Sequence, residues 1–185
     1  MHTPEYWRGL TFDYIITYSL LRGPKWKHLL EAMRHEKDIS RRALLTATPA
    51  ELPELRARLK RIERKNDLET LLTTAGNQAY NITATPTDTL NRGSAEVEEL
   101  GRILQTPCQD LLYLMCAPVF RDALAFYDAE HRLVGVLNVC FGCSAIQTES
   151  GQDVGADYRV YDQLRKWFQR LGHQIEVVDY KERPG

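Results

Sequence analysis

Two strand-like runs, Val119 to Tyr127 and Leu133 to Phe141, flank the polar stretch Asp128-Ala129-Glu130-His131 and constrain this chain more than any other feature. Both runs are rich in aliphatic and aromatic residues, and the stretch between them is mostly polar. The pattern predicts an antiparallel β-hairpin. Centring the turn on Ala129-Glu130 pairs Leu124 with Gly135, Phe126 with Leu133 and Phe120 with Val139. Side chains alternate between the faces of a strand. Phe120, Leu124, Phe126, Leu133, Leu137, Val139 and Phe141 therefore share the face expected to enter a core. Asp122 is the polar exception on that face. With Arg121 and His173 as candidate neighbours, it reads either as a buried acid or as part of an edge-strand salt bridge.

Extending the same register past the open end of the hairpin puts Cys116 opposite Cys143 and leaves Cys140 on the other face, near Asn138 and Arg121. Cys140-Phe141-Gly142-Cys143 is also a CxxC motif. Two thiols at that spacing can share a metal or exchange a disulfide. One expectation is a metal site made by Cys116, Cys140 and Cys143, with Cys108 as a possible fourth ligand. Zinc would suit it, because tetrahedral zinc favours thiolate ligands. The second CxxC of a zinc ribbon is missing, and His131 lies at the wrong end of the strands to join the set. A second expectation is thiol chemistry, with a regulatory disulfide between Cys116 and Cys143 or between Cys140 and Cys143. Ser144 to Gly151 reads as a weak helix without an apolar stripe, and the tryptophan and proline of thioredoxin-type motifs are absent. The third reading makes the cysteines small buried hydrophobes. It suits Cys108, beside the apolar run Leu111 to Met115, best.

Cys116-Ala117-Pro118, Phe126-Tyr127-Asp128 and Cys140-Phe141-Gly142-Cys143 together resemble a family of small uncharacterised bacterial proteins. These share a C-x-P, a strand ending in F-Y-D and a second strand ending in C-F-x-C. The resemblance covers about residues 116–143. It implies no established activity, and it supports treating Cys116, Cys140 and Cys143 as a set.

Elsewhere the pattern is mainly helical. Residues 6–21 fit a strand through Phe12, Tyr14, Ile16 and Tyr18, or a helix through Leu10, Tyr14, Thr17 and Leu21; we read them as helix. Lys25 to His35 predicts a helix, and Thr48-Pro49-Ala50-Glu51 has the form of a helix start. Leu52, Leu55, Leu59 and Ile62 form a stripe on the charged helix that follows. Residues 81–93, rich in threonine and containing Pro86 and Gly93, read as a linker. Ser94 predicts the cap of a helix through Val97, Leu100 and Leu104. Asp157 predicts the cap of a second one through Tyr161, Leu164, Phe168 and Leu171, stopped by Gly172. Gln174 to Tyr180 reads as a last strand. The expected class is α+β: a helical N-terminal half, then a small antiparallel sheet of hairpin, helix and strand. A boundary falls near residue 93, giving a mostly helical region over 1–93 and an α+β unit over 94–185, unless the two pack as one domain.

The 185 residues are 43% hydrophobic and 26% charged, with a formal net charge of −1, which offers no overall attraction to nucleic acid or anionic membrane. The N-terminus lacks a basic start followed by an apolar core, and no run is long enough to span a bilayer. These features predict a cytoplasmic protein. The basic run Arg56 to Lys65 lacks aromatic interleaving or a nucleic-acid motif, so it reads as a solvated helix face or a protein-partner surface. The absence of hydrolase, P-loop, dinucleotide and metalloprotease motifs makes a non-enzymatic role the expectation. The function expected is structural or regulatory metal or thiol binding, with a protein-interaction module built on the charged helices as the alternative.

Overall fold

The computed structural model describes residues 1–66, 71–73, 79–111 and 116–175. Within them the predicted hairpin is the middle of a five-stranded antiparallel sheet. Its arms are β3 (Asp122–Tyr127) and β4 (Leu133–Cys140). The register differs from the sequence expectation by two residues: Leu124 faces Leu137, Phe126 faces Gly135 and Asp122 faces Val139. The turn explains the shift. Asp128 accepts hydrogen bonds from the backbone N–H groups of Glu130 and Arg132, His131 takes a left-handed backbone at φ 62°, and the ladder slips by one at Tyr127 opposite Leu133. A shift of two keeps every side chain on its face, so Leu124, Phe126, Leu137, Val139 and Phe141 do enter the core.

The other strands correct the reading of the N-terminal half. β1 (Tyr14–Ser19) is a strand, not a helix, and lies between β3 and β2 (Thr85–Asn91). The expected linker over 81–93 thus contains an edge strand, where Pro86 and polar threonines are tolerated because one side of the ladder is open. The weak helix expected after Cys143 is instead β5 (Ala145–Gln147), paired with the end of β4. The last strand expected over Gln174 to Tyr180 falls largely outside the described residues.

One face of the sheet carries Leu90, Ile15, Phe126, Leu124, Leu137, Val139 and Ile146. It is covered by α1 (Thr3–Gly9), α4 (Ala95–Leu104) and α5 (Tyr158–Arg170). Ser94 Oγ accepts from the Val97 N–H at 3.3 Å, and Asp157 accepts from the Arg159 N–H at 3.1 Å, so both predicted caps form. Val97, Leu100 and Leu104 of α4 meet Leu164, Trp167 and Phe168 of α5 in the same core. The Trp167 indole N–H donates to the Glu96 carbonyl at 3.0 Å, which satisfies its one polar atom. On the opposite face, Asn138 accepts from the Leu72 N–H at 2.7 Å and donates to the carbonyls of Gln147 and Thr148. A fully buried amide there needs all three partners.

These elements belong to one compact unit, residues 1–20 and 70–185; residues 21–69, between β1 and β2 in the chain, form another. The second unit is a helical hairpin of α2 (Gly23–Thr46) and α3 (Leu52–Asn66), which pack on each other. Thr48 and Glu51 form the predicted helix start: the Thr48 N–H and hydroxyl both donate to the Glu51 carboxylate. Leu52, Leu55 and Leu59 are half-buried and Ile62 is buried, as the apolar stripe requires.

Candidate functional site

The cysteine end of the sheet is shaped by three short pieces of chain. β4 stops at Cys140, a turn through Phe141–Ser144 reverses direction, and β5 returns beside β4. Ser144 sits at φ 47°, a left-handed backbone uncommon for a residue with a side chain. The segment 116–121 enters β3 alongside this turn. Cys116 and Cys143 meet there and are joined by a disulfide, with a Cα–Cα distance of 6.0 Å. The sequence expectation paired these two cysteines through a register that the structure shifts by two residues; the meeting is made by two loops and not by a continued ladder.

The remaining cysteines are apart from this bond. Cys140 is free and buried, and strand alternation sets it on the face opposite Val139. Cys108 is free and half-buried. Burial, and then the carboxylates of Asp157 and Asp110, push its thiol above the ordinary range. Among the described residues, no group of three or more His, Cys, Asp or Glu side chains is placed to hold a metal ion. Both sulfurs of the Cys116–Cys143 bond are occupied in this state.

His131 and His173 bond elsewhere. His131 Nδ1 lies 2.9 Å from the Tyr14 hydroxyl, at the far end of the hairpin. His173 Nδ1 lies 2.8 Å from Asp122 Oδ1, with side chains 0% and 1% exposed. Asp122 is therefore the buried acid of the two sequence alternatives, since β3 is central and not an edge. The pair has the chemistry of an Asp–His dyad, yet His173 Nε2 is buried without a hydrogen-bond partner. Phe168 packs against the ring at a centroid distance of 4.6 Å. Both side chains of the pair are thus closed off from solvent.

A cavity of about 560 Å³ opens beside the disulfide. Cys116 and Cys143 line it together with Met1, His2, Ser144, Gln147, Asp153 and Tyr161. The volume lies within the range of small-molecule sites. His2 arrives through a parallel bridge to Gly155, with the Thr3 N–H donating to the Gly155 carbonyl at 2.9 Å. A side chain at position 155 would start 2.7 Å from His2 Nδ1, so the approach needs glycine. Gln147 Nε2 donates to Asp153 Oδ1 at 2.8 Å. Burial pushes the Tyr161 phenol well above its ordinary range, with the charges of Cys108, Asp153 and Cys140 adding to the effect. Sequence reasoning reached the two bonded cysteines and missed His2, Ser144, Gln147, Asp153 and Tyr161. These come from four separate stretches of chain, and nothing local marks them.

No helix among the described residues is long and apolar enough to cross a membrane. No family model, no curated protein and no solved structure matches the chain.

Proposed function

We propose that this protein is a thiol-responsive binding protein in which the Cys116–Cys143 bond controls the cavity beside it. The observation that carries this reading is the position of the disulfide. It ties the β4–β5 turn to the segment entering β3 and is itself part of the cavity wall. Opening the bond frees both segments, and the wall loses its only covalent cross-tie among the described residues. The Cys143 sulfur sits 3.5 Å from the Ala117 carbonyl. It has no proton to donate while bonded, but as a reduced thiol it can donate there and hold an open arrangement. In a reducing cytoplasm such a bond serves as a switch that closes under oxidation. The resemblance over residues 116–143 supports reading the cysteines as a set.

The test compares intact mass and amide hydrogen exchange of the purified protein with and without reductant. A mass lower by two hydrogens, with faster exchange over 116–121 and 141–147 after reduction, is the expected result. A fully reduced protein as isolated, or identical exchange in both states, would remove the proposal. A stoichiometric zinc adduct lost in Cys140→Ser and Cys143→Ser would replace it with a metal centre built from the reduced thiols.

A second reading rests on charge. Residues 21–69 hold 13 Lys and Arg against 8 Asp and Glu, whereas the rest of the chain holds 11 against 17. The helical hairpin would then dock an acidic protein partner through exposed residues such as Arg56 and Arg58. Charge reversal at Arg56 and Arg58 would abolish a co-purifying partner under this reading and leave the thiol behaviour unchanged.

A further inference from the structure

We infer that the cavity beside the disulfide binds an uncharged polyhydroxylated small molecule, a monosaccharide or a cyclic polyol. The inference rests on the thiol-responsive reading above and names the ligand class for its cavity. Tyr161 points to it first. The residue is 6% exposed and lines the cavity, yet its hydroxyl makes no hydrogen bond among the described residues. A polar group on so buried a side chain is ordinarily satisfied, so that task falls to an occupant of the cavity. Burial holds the phenol above its ordinary range, so it stays protonated and both donates and accepts. Ser144 adds a second hydroxyl that is unpartnered among the described residues. It is held at the cavity by a left-handed backbone at φ 47°, a strain that persists where the surrounding structure imposes it.

Gln147 and Asp153 supply the third polar element. Their mutual bond at 2.8 Å uses one amide N–H and one carboxylate oxygen. The other amide N–H, the amide oxygen and the second carboxylate oxygen remain. Two hydroxyls, and an amide beside a carboxylate, thus present donors and acceptors together. An alcohol hydroxyl is itself both and satisfies every one of them, whereas a carboxylate or phosphate only accepts and an ammonium only donates. Charge does not choose the occupant. The Met1 ammonium and the His2 imidazole line the cavity with Asp153, so groups of both signs border it. Leu111, Pro118, Ile146 and Val154 give it an apolar part that suits the C–H face of a sugar ring.

The experiment titrates the intact oxidised protein with glucose, galactose, xylose and myo-inositol and follows its NMR signals. At least one of these ligands is expected to shift the signals of Ser144, Gln147 and Tyr161 saturably. Tyr161→Phe and Ser144→Gly should each weaken that binding by about fivefold, the scale of one hydrogen bond. Neither change removes a hydrogen bond within the described residues, and glycine suits the left-handed backbone, so both variants should keep the parent's denaturation midpoint. Glucosamine and glucuronate, which carry a positive and a negative charge, should bind no tighter than the best neutral ligand. No saturable shift with any of the four, binding unchanged in both variants, tighter binding of a charged sugar, or binding of alanine in place of the sugars would overturn the inference. Repeating the titration after reduction separates the two levels. Sugar binding that is identical in the reduced protein removes the thiol control and leaves the ligand class standing. Hydrogen exchange that responds to reductant, with no sugar bound in either state, means that only this inference has failed.

Discussion

His173 Nδ1 and Asp122 Oδ1 lie 2.8 Å apart beneath the central strand of the sheet, with both side chains closed off from solvent. Removing one member of such a buried pair strands the other without its partner. Asp122→Ala is expected to lower the unfolding free energy by about 3 kcal/mol, read from the midpoint of a guanidinium titration with the slope unchanged. A midpoint equal to that of the parent protein would mean that the pair is not formed in solution.

The Cys116–Cys143 bond closes a loop with a sequence separation of 27. Constraining a loop of that length in the unfolded chain contributes about 3.5 kcal/mol on the chain-entropy account. Reductant should therefore lower the denaturation midpoint of the parent protein and of Cys108→Ser. It should have no effect on Cys116→Ser, which starts from the lower value. Sensitivity to reductant that persists in Cys116→Ser would place the bond elsewhere.

Gly135 faces Phe126 across the ladder, and a Cβ there would meet the Tyr6 hydroxyl at 2.7 Å and Leu10 Cδ2 at 2.9 Å. Tyr6 cannot swing away without losing its hydrogen bond to the Val136 carbonyl. Gly135→Ala is expected to cost about 2 kcal/mol by overpacking. In the Tyr6→Phe background, which lacks the clashing oxygen, the same change should cost less. A double-mutant cycle with no coupling would refute the contact.

Asp157 accepts from the Arg159 guanidinium at 2.7 Å and from the backbone N–H groups of Gln109, Asp110 and Arg159. The Arg159 side chain foremost, with those N–H groups assisting against burial, holds its carboxyl well below the usual carboxylate range. A carboxylate with a lowered folded-state pKa stabilises the protein above its unfolded pKa of about 3.9, and that contribution is lost as pH falls toward the folded value. Asp157→Asn should therefore be less stable than the parent at neutral pH, with the gap closing under acid below about pH 4. Urea midpoints across that range decide it; a gap independent of pH would show that the charge is not what stabilises the cap.

Local patterns were sufficient for some elements and ambiguous for others. Asp157 and Ser94 announced their helices because a capping side chain acts within three residues of itself. The core face of the hairpin was readable because alternation survives any even error in register. The register was two residues off because the Asp128 side-chain bonds and the bulge beside Tyr127 lengthen the turn. Residues 14–19 carried both periods at once, and their strand form comes from ladders with β2 on one side and β3 on the other.

The sequence alone determined the α+β class and the two capped helices over the sheet, since each follows from spacing along a short stretch. Tertiary structure decided the rest. It placed β1 at the heart of the sheet, buried Asp122 against His173, and assembled the cavity from His2, Ser144, Gln147, Asp153 and Tyr161. Those contacts join residues far apart in the chain, and their free energy exists only once the intervening segments are folded. No local signal could carry them.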